Sequence, residues 1–152
     1  MKNTNNKTIY FDLDGTVYPL YQQENWLSRI TETFDPTIYM IEDTLVDAVD
    51  LLEVLLDLVE CGYSIGVVSW LAGDSPAEYC KAVRAAKREW VKKFLPMATE
   101  IHIVRYGTPK HWVVSGAGIL VDDVAEMRDA WNKGATINAT KDIIKILRNL
   151  EG

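Results

Sequence analysis

Cysteine is scarce in this chain, an excess of positive charge is missing, and no long apolar run interrupts it. Two cysteines in 152 residues, Cys61 and Cys80, make neither a disulfide framework nor a metal-type spacing. They read as buried small hydrophobes in a reducing compartment. A formal net charge of −6 argues against a general nucleic-acid binder, whose affinity rests on neutralising phosphates with surplus lysine and arginine. No apolar stretch reaches the roughly 18 residues of a membrane span, and no charged-then-apolar leader opens the chain. These absences predict a cytoplasmic protein with no membrane partner and no general affinity for nucleic acid.

Hydrophobic residues make up 48% and charged residues 25% of the chain, which is ordinary globular composition. The length suits one domain over residues 1–152 with one sizeable core. Residues 1–7 are polar and Asn-rich, and fraying is expected there. The organising stretch follows: a short strand, Thr8 to Phe11, ends in Asp12-Leu13-Asp14-Gly15-Thr16. Alternate side chains of an extended chain point the same way, so Asp12 and Asp14 can reach one spot past the strand's end. Two carboxylates there repel unless a cation or a shared proton intervenes. A hard divalent ion with oxygen ligands answers this, and Mg²⁺ commonly takes one or two carboxylates and leaves room for water and phosphate. A plain Asp-Gly turn also fits these residues. A calcium loop does not, because its sixth and twelfth positions hold Val17 and Gln23 instead of Gly and Glu.

The rest of the chain alternates strand and helix. An aromatic insertion, about 17–43, carries Tyr18, Tyr21, Trp26, Phe34 and Tyr39, with a short helix predicted from Glu24 to Thr33. Its rings either pack a small subdomain or line the mouth of a site. A helix is predicted from Thr44 to Glu60, capped by Thr44. Its apolar positions are Leu45, Ala48, Val49, Leu52, Leu55, Leu56 and Val59, and Asp43, Asp47, Asp50, Asp57 and Glu60 form a solvated acidic face. Strand two spans Ser64 to Val68 and ends at Ser69. Ser75-Pro76-Ala77-Glu78 reads as a capping box opening a helix to about Phe94. That helix bears a stripe of Lys81, Arg84, Arg88 and Lys92, which is a solvated face, a phosphate contact, or a mate for the acidic helix within the molecule or across a homodimer. Strand three covers Glu100 to Val104 and Thr108-Pro109-Lys110 starts a helix. Strand four runs from Gly118 to Val121 and ends in Asp122-Asp123. A helix at Ala125 to Asn132, a strand at Ala135 to Asn138 and a helix at Thr140 to Leu150 complete the chain. Five such alternations predict an α/β fold, a doubly wound, Rossmann-like parallel sheet with helices on both faces and a small helical cap insertion. Ligands of such sheets bind beyond the carboxyl ends of the strands.

Asp12, Asp14, Ser69, Lys110, Asp122 and Asp123 all fall at that one edge. A nucleophile, a metal site, a positive charge and a hydroxyl there are what phosphoryl transfer requires. His102 and His111 are not needed for it. The order Asp-x-Asp-Gly-Thr, strand-end Ser, Lys, then Asp-Asp resembles the haloacid dehalogenase-like hydrolase superfamily over residues 8–137. The resemblance implies Asp12 as nucleophile, forming an aspartyl-phosphate, and Asp14 as general acid and then base. It implies Ser69 and Lys110 on the phosphoryl oxygens, with Gly15, Thr16 and Trp70 beside them. Mg²⁺ would be held by Asp12, the main-chain carbonyl of Asp14, Asp122 and Asp123. An aspartate at position 14 points to the phosphatase branch, and the motif contexts resemble the 5′(3′)-deoxyribonucleotidases. The implied substrate is a small phosphorylated molecule, a nucleoside monophosphate first, with Tyr18, Trp26, Trp70 or Tyr106 as stacking platforms. Other small phosphomonoesters and phosphorylated nucleic-acid ends remain open. So do a nucleotide-sequestering protein that binds without turnover and an interaction protein working through its charged helices.

Overall fold

Alternation along the first strand decides the layers. In β1 (Thr8–Phe11), Ile9 and Phe11 enter a large cluster with Leu51, Leu55, Val83, Trp90 and Leu147. Tyr10, pointing the other way, joins a smaller one with Val68, Val114, Leu120 and Trp131. A strand buried on both faces is the mark of a central position in a covered parallel sheet. The computed structural model describes residues 7–151, so the expected fraying at the start lies outside the described residues apart from Lys7.

Around β1 the other strands are β2 (Ser64–Trp70), β3 (Ala98–Val104), β4 (Gly118–Asp122) and β5 (Thr136–Asn138), in the order β3-β2-β1-β4-β5, every neighbouring pair parallel. The chain winds outward from β1 to β3, then returns to lay β4 and β5 on the other side. The order therefore reverses between β1 and β4, where a doubly wound sheet opens its ligand crevice. The helices are α1 (Trp26–Thr31), α2 (Ala48–Glu60), α3 (Ala77–Phe94), α4 (Lys110–Val113), α5 (Ala125–Ala130) and α6 (Ile143–Asn149). Side chains of α2, α3 and α6 feed the large cluster, and the segments of α4 and α5 feed the small one. Among the described residues no helix is long and apolar enough to cross a membrane.

Several boundaries differ from the sequence expectation, each for a local reason. Asp47, not Thr44, caps α2 by accepting from the Asp50 N–H at 2.9 Å. Thr44 instead donates to the Val46 carbonyl, and Leu45 N–H is held by the Val17 carbonyl at 2.8 Å. The buried face of α2 is Leu51, Val54, Leu55 and Leu58, whereas Val49, Leu52, Leu56 and Val59 are exposed. Leucines on most sides of the helix leave its rotation to be chosen by the sheet. The capping box at Ser75 does not form: its hydroxyl donates to the Ala72 carbonyl at 3.0 Å, and Pro76 occupies the cap position itself. Pro109 likewise stands at the cap of the four-residue α4, with Lys110 as the first helical residue. Strands β2 and β4 each run further than expected, taking in Ser69 and Asp122, and β3 begins two residues earlier. Cys61 and Cys80 are half-buried, not fully buried.

The insertion after β1 holds α1, shorter than expected, and a 3-10 turn over Pro36–Tyr39. Asp35 joins them: it caps the turn through Thr37 N–H and pairs with Arg29 of α1 at 3.0 Å. The insertion is tied to α3 by Tyr79, whose hydroxyl donates to the Asp35 carbonyl, and by Trp90, whose indole donates to the Asp43 carbonyl. No ion pair among the described residues links the acids of α2 to the stripe on α3. Lys92 pairs with Glu89 on its own helix, and Arg84 donates to the Ile103 carbonyl.

Candidate active site

The tip of β1 sets the geometry. Asp12 N–H still bonds the Val121 carbonyl at 3.0 Å, so Asp12 continues the sheet beside β4. Immediately afterwards the chain folds back. The Leu13 carbonyl accepts from the N–H groups of Thr16, Val17 and Tyr18, with Gly15 at φ 80°, a conformation that glycine takes without steric cost. This turn brings the Thr16 hydroxyl back to Asp12, 3.0 Å from Oδ2, and to Asp123, 3.2 Å from Oδ1.

Strand β4 supplies the facing carboxylates. Asp122 is fully buried, and its Oδ1 accepts from the Val124 N–H at 3.0 Å. Lys110, buried at the start of α4, donates to Asp12 Oδ1 at 2.8 Å and to Asp122 Oδ2 at 2.7 Å. One oxygen from each of Asp12, Asp122 and Asp123 lies within 4.8 Å of the others. Burial and the charge of Asp12 push Asp123 up to about 7 and raise Asp122 as well. Burial pulls Lys110 down, but Asp12 and Asp122 more than offset it and keep it an ammonium.

Asp14 stands apart from that cluster. Its Oδ2 accepts from Lys87 of α3 at 3.0 Å, and the same ammonium donates to Ser69 Oγ at 2.8 Å and the Trp70 carbonyl at 2.7 Å. Asp14 Oδ1 is buried and has no hydrogen-bond partner among the described residues. Burial raises Asp14 out of the ordinary carboxylate range, with Lys87 pulling the other way. The carboxylates of Asp12, Asp122 and Asp123 converge, whereas that of Asp14, a residue expected to offer the metal its main-chain carbonyl, is engaged with Lys87.

With all four carboxyls ionised, the two ammoniums of Lys87 and Lys110 would leave two formal negative charges in a buried setting. Oxygen donors of this kind fit a hard divalent cation, whose charge would offset the burial and the mutual repulsion that raise Asp122 and Asp123.

The cluster opens into a cavity of about 660 Å³ lined by Asp12, Asp14, Lys110 and Asp122, and walled by aromatic side chains. In its lining Trp26 and Tyr21 meet edge to face at 4.7 Å, and Trp70 and Tyr106 at 5.0 Å. Trp26, Trp70 and Tyr106 thus line the space. Tyr18 does not: it is 2% exposed, packs against Tyr39 and Trp90, and donates to the Ile38 carbonyl at 2.5 Å. Ser69 is fully covered and meets the site through Lys87. A second cavity of about 650 Å³ lies between residues 39–42 and α3, and among the described residues that line it there is no comparable cluster of carboxylates.

No family model matches the chain, and no curated protein matches it.

Lys87 belongs to the site's surroundings although sequence reasoning did not assign it there, and Tyr21 and Tyr39, two of the insertion's rings left open between packing and lining, line the cavity. Lys87 had a legible signal. It shares a helical face with Val83, Trp90 and Val91, and a lysine on an apolar face is buried only when paired. His102 instead contacts Glu100 at 2.9 Å within β3, and His111 lies on α4 beside Trp112.

Proposed function

We propose that this chain is a Mg²⁺-dependent phosphomonoester hydrolase of the haloacid dehalogenase-like type, acting through an aspartyl-phosphate on a small phosphorylated substrate, a nucleoside monophosphate first. The observation that carries the reading is the convergence of the carboxylates of Asp12, Asp122 and Asp123, with Lys110 bonded to the first two where they line an aromatic-walled cavity and Asp14 held by another lysine. Asp12, Asp122 and Asp123 would hold the ion, which when bound supplies charge neutralisation for an incoming phosphate dianion and polarises its oxygens.

Each Asp12 oxygen accepts one hydrogen bond, and a carboxylate offers about four lone-pair sites, so a lone pair remains for attack. The Asp12 oxygen bonds to phosphorus as the bond from phosphorus to the leaving oxygen breaks. Asp14, raised by burial, delivers a proton to that leaving oxygen. The resulting Asp14 carboxylate then takes a proton from water as the water attacks phosphorus. The bond to Asp12 breaks, and inorganic phosphate departs. Lys110 offsets charge on the transferring group. Ser69, fully covered, meets the site through Lys87, from which its hydroxyl oxygen accepts.

The walls argue for a flat leaving group and a single phosphate. Aromatic pairs flank the space, and among the described lining residues Lys110 is the one cation, with Asp74 and Glu126 adding negative charge. A second phosphate would meet repulsion. The test is phosphate release from a panel of nucleotides and sugar phosphates with Mg²⁺, wild type beside Asp12→Asn. Release by wild type, abolished in the variant and favouring monophosphates, supports the reading. A wild type that releases nothing while binding a nucleotide tightly establishes a sequestering protein instead.

A further inference from the structure

The chain between β3 and α4 has few anchors of its own. Gly107 takes φ 88° with open space where a β-carbon would stand, Tyr106 is 65% exposed, and α4, four residues long, has no side-chain cap. Yet this stretch delivers Lys110, whose ammonium sits 2.8 Å from Asp12 Oδ1 and 2.7 Å from Asp122 Oδ2. A lysine side chain is a flexible four-carbon stem, and its rotamer entropy opposes so narrow a placement.

Trp70 supplies the hold. Its indole N–H donates to the Thr108 carbonyl at 2.7 Å, and its ring meets that of Tyr106 edge to face at 5.0 Å. The Lys110 ammonium stands over the same ring, 5.7 Å from its centre, within the reach at which an aromatic face attracts a cation. The three contacts fall on residues 106, 108 and 110. Trp70 is itself fixed on both sides. It ends β2 paired with Val104, its carbonyl accepts from Lys87 at 2.7 Å, and the next N–H, that of Leu71, bonds the Val104 carbonyl at 2.7 Å. One side chain thus ties a weakly anchored loop to the tip of an interior strand. A ring that only walled the cavity would need neither the indole bond nor the ammonium over its face.

We propose that Trp70 is a positioning residue for Lys110: it holds residues 106–110 against the tip of β2 and so keeps the ammonium between Asp12 and Asp122. Its bearing on turnover rests on the phosphatase reading above, in which Lys110 offsets charge on the transferring group. The consequence is indifferent to the leaving group. Loss of Trp70 harms every phosphomonoester alike, whereas loss of a stacking platform harms only those that carry a ring.

The experiment compares wild type, Trp70→Leu, Trp70→Phe, Lys110→Met and the Trp70→Leu/Lys110→Met pair, all full-length with Mg²⁺. Phosphate release is followed on a nucleoside monophosphate and on glycerol phosphate, which has no ring. Trp70→Leu is expected to lose roughly 10- to 100-fold in kcat/KM, the scale on which small misplacements act, and the two esters should agree within about threefold. Trp70→Phe keeps a ring but not the indole N–H, and a smaller loss, equal on both esters, is expected. The double variant should lose no more than Lys110→Met alone. A second readout needs no turnover: acetylation by N-hydroxysuccinimidyl acetate, followed by mass spectrometry. Lys110 should react several-fold faster in Trp70→Leu than in wild type, while Lys87, also buried, keeps its wild-type rate. Should Trp70→Leu not fold, Trp70→Phe carries both comparisons. A loss confined to the nucleoside ester overturns the inference and makes Trp70 a platform. An unchanged rate at Lys110, or equal increases at Lys110 and Lys87, overturns it as well. A wild type that releases no phosphate overturns the phosphatase reading alone, because the acetylation rates still decide whether Trp70 holds Lys110.

Discussion

Gly15 and Asp123 approach so closely that a β-carbon on the glycine would stand 2.5 Å from Asp123 Oδ2, and equally close to the Tyr21 ring. The turn after β1 is thus packed directly against the carboxylate at the end of β4. Gly15→Ala also meets a left-handed backbone, φ 80°, which costs an L-residue about 1–2 kcal/mol. The expected outcome is a stability loss of at least that size in urea unfolding, together with weaker Mg²⁺ binding by calorimetry because Asp123 is pushed out of the cluster. A fully stable variant with unchanged Mg²⁺ affinity would contradict the packing.

Acidity offers a second check. Asp123 is pushed up to about 7, and Asp14 and Asp122 are raised too. A carboxyl whose folded pKa exceeds its ordinary value binds more protons folded than unfolded in the interval between, so stability there falls as pH rises. The metal-free protein should therefore lose stability between about pH 4 and pH 7 and unfold at a lower temperature at pH 8 than at pH 5.5. Mg²⁺ competes with those protons, so the increase in unfolding temperature on adding Mg²⁺ should be several degrees larger at pH 8 than at pH 5.5. Proton release on Mg²⁺ titration in weak buffer near pH 6.5 should accompany it.

The aromatic walls predict a substrate-dependent defect. Trp26→Ala removes half of the 4.7 Å edge-to-face pair with Tyr21, and such contacts are worth about 0.5–1.5 kcal/mol beyond their burial. We expect KM for a nucleoside monophosphate to rise roughly 3- to 10-fold, while KM for a small alkyl phosphate without a ring stays within about twofold. Steady-state kinetics on the two substrates separates a platform from a ring that merely packs the insertion.

Adjacent leucines on α2 test its rotation. Leu55 is fully buried and Leu56 is 48% exposed. Leu55→Ala should cost about 2–5 kcal/mol in denaturant unfolding, and Leu56→Ala within about 1 kcal/mol. Similar costs at both would mean that the helix buries the other face.

These two leucines also mark how far the sequence could be read. Periodicity finds a helix where apolar residues cluster on one side, but with Leu51, Leu52, Leu55, Leu56 and Leu58 all apolar it cannot choose the side. The cap residues failed for a related reason. Ser75 and Thr44 each found a nearer carbonyl, and that competition depends on loop geometry. Tyr18 looked like a platform because it sits in an aromatic insertion, yet it turned into the core, where Ile38 accepts its hydroxyl proton. Lys87 went unassigned because its partners lie 17, 18 and 73 residues away.

What the chain by itself determined is the alternation of strand and helix and the chemistry at each strand tip: paired aspartates after β1 and β4, a serine on β2, a lysine at the start of α4. Short-range pattern and turn residues carry that information because each strand end is a local event. Which tips meet was decided by the tertiary structure. The order β3-β2-β1-β4-β5 sets β1 beside β4, so Asp12, Asp122 and Asp123 share one cluster. The packing of α3 on the sheet then delivers a second lysine to Asp14. Distances of this kind follow from winding and packing, which no stretch of sequence specifies alone.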